Sequence, residues 1–388
     1  MKISPDNPDI MWNCAQIMMG LGFIEEANEV YHNYRLIEQK RAIEKQQDEL
    51  LKKMYRPDIK KLIVFLTPGE DIVNGGILSI SSIFKESTRL KDIHGSEVIM
   101  CTIPGEPILL KYTKFSNENY IFRFSQVISY FYNLKELIIH IPEYAISKFL
   151  YVLTNNYLSR LKEIDKIYFN IMLQNIQLLP NGYDLCINKL KKIGKVTCTT
   201  AHDQYSTLDI RKKLGIPLHK LSTYVSPEFY NKKDYKDKED LMIVSPDPHP
   251  QKTEVLNTIR NRLPHIKIQV IKNMTYEEYK NLISKAKWSL TFGEGLDGYF
   301  IETIFSGGIS FAVYNQDFFT DDFRSLRTVY KDYNSLIKNI CSDIQYLDNE
   351  EEYNKYHKQQ FKICSSHYNY KKYIENLKKF YKGDYTYK

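Results

Sequence analysis

Two carboxylates eight residues apart, Glu294 and Glu302, flank a glycine-rich turn in the stretch TFGEGLDGYFIETIFSGGISFAVY, residues 291–314. Trp288–Phe292 is a run suited to a strand, Gly293 to Gly295 break it, and Tyr299–Phe305 has the spacing of a short helix ending at Gly307 and Gly308. The start of that helix, Gly298 and Tyr299, offers free N–H groups and the positive end of a dipole to phosphate oxygens. Glu302, about one turn into the helix, is placed to accept hydrogen bonds from ribose hydroxyls. Glu294, on the loop before it, then faces whatever hangs from the far phosphate. This combination suits a nucleotide sugar. The plain alternative is a solvated helix carboxylate and a turn residue.

The stretch resembles the motif EGFGLPxLEAxAxGxPV of retaining GT-B glycosyltransferases, the family 4 group and its relatives, also described as glycosyl transferases group 1. Here the text is EGLDGYFIETIFSGGISF, with both glutamates, the glycine after the first and the small-Gly pair in place. Asp297 stands where the family usually has glycine, and Tyr299 replaces a common proline. The resemblance spans roughly residues 60–330 and is most specific in its last third. It implies transfer of a sugar from a nucleotide-sugar donor to a glycan or lipid-linked acceptor, with retention, in assembly of a bacterial-type surface polysaccharide or capsule.

The same resemblance implies further site residues. Gly75 and Gly76, after the first strand, stand where the family places a Gly-Gly loop near the donor pyrophosphate or the acceptor; a tight strand-to-helix turn explains them equally well. His202, in TTAHDQ, matches a segment whose histidine lines the sugar pocket, with Asp203 orienting it or capping the next turn. Lys252 matches a cation that neutralises the diphosphate, while the arginine usual near Ser245 is absent. Glu294 and His202 are therefore the candidate catalytic residues. Glu302, Lys252, Gly298, Tyr299, Gly75 and Gly76 are the candidate donor-binding residues. No D-x-D motif sits at a strand end, and Asp71, Asp247 and Asp297 are isolated along the chain, so no metal or other cofactor is expected.

Positioning such residues requires two strand-and-helix domains. The chain, at 388 residues, is long enough for them. Apolar runs Leu62–Leu66, Val98–Ile103, Leu137–Ile141, Ile167–Met172 and Val196–Thr199 alternate with helical stretches such as Ile77–Leu90 and Tyr144–Leu153. The polar, charged segment NKKDYKDKED, 231–240, reads as a linker. Alternation then restarts: strands Leu241–Val244, Ile266–Ile271, Trp288–Phe292 and Ser310–Val313, helices Thr253–Arg262, Tyr276–Ala286 and Tyr299–Phe305.

The expected class is α/β, with two Rossmann-like domains facing a cleft, as in GT-B proteins. Its parts are a helical extension (1–57), an acceptor-side domain (58–230), the linker, a nucleotide-sugar-binding domain (241–347), and a C-terminal helix and tail (348–388) that crosses back to the first domain by resemblance. No G-x-G-x-x-G follows the first strand, which argues against an ordinary NAD-dependent enzyme.

Composition narrows the partners. Hydrophobic residues make up 43% and charged residues 26%, ordinary for a globular protein, and the net charge of +7 admits an anionic donor without requiring nucleic acid, for which no module is present. The six cysteines are scattered and form no C-x-x-C pair, which fits a reducing compartment and a cytoplasmic location. No apolar run approaches transmembrane length. The tail YKKYIENLKKFYKGDYTYK interleaves lysines with aromatics and suits either peripheral contact with an anionic inner-membrane face or a solvated helix end. The N-terminal helices form a hairpin on the main body or a docking module for a protein partner. Two alternatives remain open: a GT-B nucleotide-sugar epimerase, and a non-catalytic GT-B scaffold.

Overall fold

A computed structural model describes residues 7–68, 75–102, 121–272 and 274–388. Asp71, and the end of the predicted strand at Ile103, lie outside these residues.

Seven strands build the first sheet: β1 (Lys61–Thr67), β2 (Glu97–Thr102), β3 (Ile121–Arg123), β4 (Glu136–Pro142), β5 (Lys166–Leu173), β6 (Lys195–Thr200) and β7 (Leu218–Lys220). Their order is β3-β2-β1-β4-β5-β6-β7, and every pairing is parallel. Parallel strands carry helices on both faces, so a central strand is apolar throughout; Leu62 to Leu66 are accordingly all buried. The register sets Phe65 beside Met100 on one side and His140 on the other.

The second sheet comprises β8 (Glu239–Val244), β9 (Lys267–Val270), β10 (Ala286–Leu290), β11 (Ile309–Val313) and β12 (Val329–Tyr330), ordered β12-β11-β10-β8-β9 and again parallel. β8 begins at Glu239, two residues inside the stretch read as linker. The residue before it, Lys238, is buried, and its Nζ donates to the carbonyls of Ser284, Ala286 and Ser306 at 2.9–3.0 Å. Three acceptors match the three donors of an ammonium, so the connection between the domains is docked against the second.

Helices Pro8–Gly20 and Ile24–Met54 form an antiparallel hairpin, with Trp12 packed on Tyr31 and Tyr34. It joins the body near its base, where Gln47 Nε2 donates to Ile121 O and Gln126 Nε2 to Asp48. Near the turn Ile17, Leu21, Phe23 and Ile24 remain exposed.

At the other end, helix Glu350–His367 packs on the second sheet, with Tyr353 Oη donating to the Lys287 and Gly307 carbonyls. Helix Tyr370–Tyr381 then crosses to the first domain. Tyr373 and Leu377 enter the apolar cluster of Ile63, Phe65 and Ile80, and Leu218 and Tyr387 form an antiparallel bridge. The aromatics of the tail thus face inward, while Lys371, Lys372 and Lys379 stay exposed. Among the described residues no helix is long and apolar enough to cross a membrane.

Candidate active site in the interdomain cleft

Ligands of open parallel sheets bind beyond the C-terminal ends of the strands, where the order reverses. In the second sheet that point lies between β8 and β10, and the candidate residues collect there. The segment after β10 turns sharply: Gly293 and Gly295 have φ of 68° and 78°, the left-handed region that favours glycine. A Cβ on Gly295 would stand 2.8 Å from both Val313 O and a Phe319 ring carbon. Ser245 Oγ, at the end of β8, accepts from Phe292 N at 2.9 Å, and Thr291 Oγ1 donates to Gly295 O at 2.7 Å. Both bonds hold the turn that carries Glu294.

Asp297 caps the next helix, Gly298–Phe305, by accepting from Phe300 N at 3.0 Å. This gives the departure from the family motif a local reason, since a glycine there has no side chain to cap with.

Glu302 is 4% exposed, so it is no solvated helix carboxylate. Tyr276 Oη donates to its Oε1 at 3.3 Å and lies 3.0 Å from Tyr230 Oη. Gly298 leaves room for that carboxylate, since a Cβ there would come within 3.3 Å of Oε1. Tyr299 packs edge-on against Tyr279. Lys252 opens helix Lys252–Arg262, and its Nζ donates to Ser245 O at 2.6 Å and Asp247 O at 2.8 Å, over the Phe292 ring. Its charge is thus already engaged by backbone carbonyls.

Across the cleft, Asn175 follows β5 and donates through Nδ2 to Glu294 Oε1 at 3.3 Å. Gln177 to Asp317 at 3.1 Å and Gln204 to Phe319 O at 2.6 Å are further contacts between the domains. His202 follows β6; its ring meets Phe318 of the second domain edge-on at 5.5 Å and Tyr205 at 5.2 Å. Asp203 pairs with Lys220. Gly75 and Gly76 open helix Gly75–Arg89, and Gln174 Nε2 donates to Gly76 O at 3.2 Å, which sets that helix start beside the end of β5. An added Cβ on Gly75 would meet nothing within 4 Å.

Charge in the cleft is dominated by carboxyls. Burial, and then repulsion from Asp247, pushes Glu294 up to about 7 against the hydrogen bond from Asn175. Burial lifts Glu302 to about 7 against the surrounding hydroxyls of Tyr279, Tyr230 and Tyr276. Asp297 is raised by burial and by Asp247, Glu294 and Glu302. Burial and the Lys220 charge hold His202 down to about 4, so its imidazole is neutral near pH 7 and able to accept or donate one hydrogen bond. Burial likewise lowers Lys252.

The structure therefore gathers Glu294, Glu302, Lys252, Gly298 and Tyr299 at one sheet end, and sets His202, Gly75 and Gly76 on the first domain's strand ends. Three groups were missed from sequence. Asp247 is isolated along the chain but lies against Gly293, whose Cβ would come within 3.3 Å of its own. Asn175 and Glu143 belong to the first domain; Glu143 follows β4, is 1% exposed, and accepts from Asn175 N at 3.0 Å. Their signal was a polar residue one or two positions after an apolar strand, in LIIHIPE and NIMLQN.

No protein-family model and no curated protein sequence matches the chain. Solved structures do. The chain is similar to HepE of Anabaena in complex with UDP and glucose, at 9% identity and a TM-score of 0.57, over 83% of this chain and 100% of that one. It is also similar to sucrose-phosphate synthase of Thermosynechococcus elongatus, at 11% identity and a TM-score of 0.54, over 84% and 99%. A third is TarM, at 11% identity and 0.55, over 83% and 99%. Likeness at this identity extends to the fold, and with the two parallel sheets described above it identifies the architecture: this chain has the GT-B fold, two Rossmann-like domains facing a cleft.

Proposed function

We propose that the chain is a glycosyltransferase that moves a sugar from a nucleotide-sugar donor to a glycan or lipid-linked acceptor, with retention, in surface polysaccharide assembly. The observation that carries this reading is the pair Glu294 and Glu302 on the turn and helix after β10, with Glu294 in the cleft and met there by Asn175 of the opposite domain. One of the similar structures agrees with the donor class: HepE is in complex with UDP and glucose.

In this reading the nucleoside sits over the second domain with its ribose toward Glu302, and the diphosphate lies at the Gly298 helix start. Departure of the diphosphate leaves positive character on the anomeric carbon, which the Glu294 carboxylate stabilises from the sugar's side. Lys252 is tied to two carbonyls and lacks a neighbouring arginine, so backbone N–H groups at Gly298 and Tyr299 carry much of the leaving group's charge. The departing phosphate assists the acceptor hydroxyl on the same face, and neutral His202 lines the sugar pocket.

A cytoplasmic enzyme at the inner face of a membrane fits lipid-linked acceptors. With Tyr373 and Phe380 buried, attraction would rest on the exposed lysines of the tail, and salt-sensitive flotation with anionic vesicles is its check. The reading as a whole is tested by thermal unfolding with a panel of UDP-, GDP-, CMP- and dTDP-sugars, one of which should stabilise the fold by mass action. No shift with any member would favour the non-catalytic scaffold.

A further inference from the structure

We infer that Glu143 is a positioning residue for Glu294, acting through Asn175 across the cleft between the domains. The inference rests on the reading of Glu294 as the carboxyl that faces the donor sugar.

Glu143 stands directly after β4, whose residues Leu137, Ile139 and Ile141 are fully buried. Its own side chain is 1% exposed, and its Oε2 has no hydrogen-bond partner among the described residues. A carboxyl in such a place is costly unless it is held by donors. It is held by one backbone N–H, that of Asn175. With so little exposure it has no route to a substrate, so any effect on the reaction must pass through its neighbours.

The neighbour is Asn175, and each of its polar groups has an assignment. Its backbone N donates to Glu143 Oε1 at 3.0 Å, its Oδ1 accepts from Gln177 N at 2.9 Å, and its Nδ2 donates to Glu294 Oε1 at 3.3 Å. With N and Oδ1 both bound, the rotamer is set and Nδ2 points over the cleft. Gln174, the residue before Asn175, donates through Nε2 to Gly76 O at 3.2 Å, so the segment that ends β5 is tied both to Glu143 and to the helix start at Gly76. Glu294 itself sits on a loop between two left-handed glycines, and a donor from a rigid strand end restricts where its carboxylate can lie. Misplacing a reacting group by about 1 Å can cost on the order of 100-fold in rate.

The test compares Glu143→Ala, Glu143→Gln, Asn175→Ala and Glu294→Gln, and the double variant Glu143→Ala with Glu294→Gln. Turnover of the donor found in the thermal panel is measured beside calorimetry with its nucleoside diphosphate. Glu143→Ala and Asn175→Ala should each lose roughly 10- to 100-fold in kcat, with product affinity and donor KM within about twofold of wild type. Glu143→Gln keeps an oxygen for Asn175 N and should stay within a few fold. In the Glu294→Gln background, Glu143→Ala should cost nothing more, because its effect runs through the carboxylate already removed. Should Glu143→Ala fail to fold, Asn175→Ala carries the comparison. An additive loss in the double variant, or full activity of Glu143→Ala and Asn175→Ala where Glu294→Gln is inactive, overturns the inference and leaves the role of Glu294 standing. Full activity of Glu294→Gln instead removes the site reading itself.

Discussion

Asn175 and Glu294 meet across the cleft, the amide Nδ2 of one domain donating to the carboxylate Oε1 of the other at 3.3 Å. The proposed reacting carboxyl is therefore held by both halves of the fold, and anything that parts the domains also releases it.

The ionisation of Glu294 should govern the pH dependence of the reaction. Its value in the fold, about 7, is raised from the ordinary 4.5, so it is largely protonated at pH 6 and ionised at pH 8. A residue that stabilises positive charge works as the carboxylate, so kcat/KM should rise as pH increases through about 7. Glu302 and Glu143 are raised to similar values, which makes variants necessary to assign the limb. It should persist in Glu302→Ala and vanish in a slow Glu294→Gln. A limb that survives in Glu294→Gln belongs to another group.

Glu302 should act on nucleotide binding. Tyr276 Oη donates to its Oε1, so a ribose hydroxyl must displace or share that bond. Glu302→Ala should weaken the nucleoside diphosphate by about 1–3 kcal/mol, the range for a lost charge-assisted hydrogen bond. Glu294→Gln should leave that affinity nearly unchanged. Equal losses in the two, read by calorimetry, would dissolve the division of labour.

Glu143 should leave a pH signature in stability. Burial raises it to about 7 in the fold against 4.5 unfolded, so its favourable contribution is complete below pH 4.5 and is lost as pH rises through 7. Glu143→Gln does not titrate. Relative to wild type it should gain on the order of 1–3 kcal/mol between pH 4.5 and pH 8, measured by urea unfolding at both ends. A difference that does not change with pH would refute this.

Gly295 should tolerate no side chain. At φ 78°, with Val313 O and the Phe319 ring 2.8 Å from an added methyl, Gly295→Ala combines backbone strain with a clash against main chain. A loss of about 2–4 kcal/mol is expected from urea unfolding, with donor turnover reduced more than thermal stability alone explains. Wild-type stability in Gly295→Ala would mean that the turn adapts freely.

Chelation should leave the proposed transfer intact, because the diphosphate is met by N–H groups and by Lys252 in this reading. Rates are compared with and without EDTA; loss of turnover restored by Mg²⁺ or Mn²⁺ would overturn this expectation.

The alternation of apolar runs and helical spacing was enough to place two parallel sheets, since a strand buried on both faces must be apolar along its whole length, as Leu62 to Leu66 show. The turn at Gly293–Gly295 and the short helix after it were legible for a similar reason, since left-handed backbone demands glycine locally, whereas the cap that Asp297 supplies to that helix was not read from the sequence. What local pattern cannot carry is contact between distant segments. The motif marks Glu302 as a ribose ligand, with a solvated helix carboxylate as the alternative, but it does not show that Tyr230 and Tyr276, brought in from the connection and another helix, enclose it. Lys238 reads as one more linker charge until three carbonyls of the second domain converge on its ammonium. Asn175 and Glu294, 119 residues apart, become partners only when two sheets face each other across a cleft. Residue type and spacing determined the sheets and the motif, because those interactions act within one element; the neighbours of each carboxyl, and with them its charge, were decided by tertiary packing, which removes water and sets the partners at the same time.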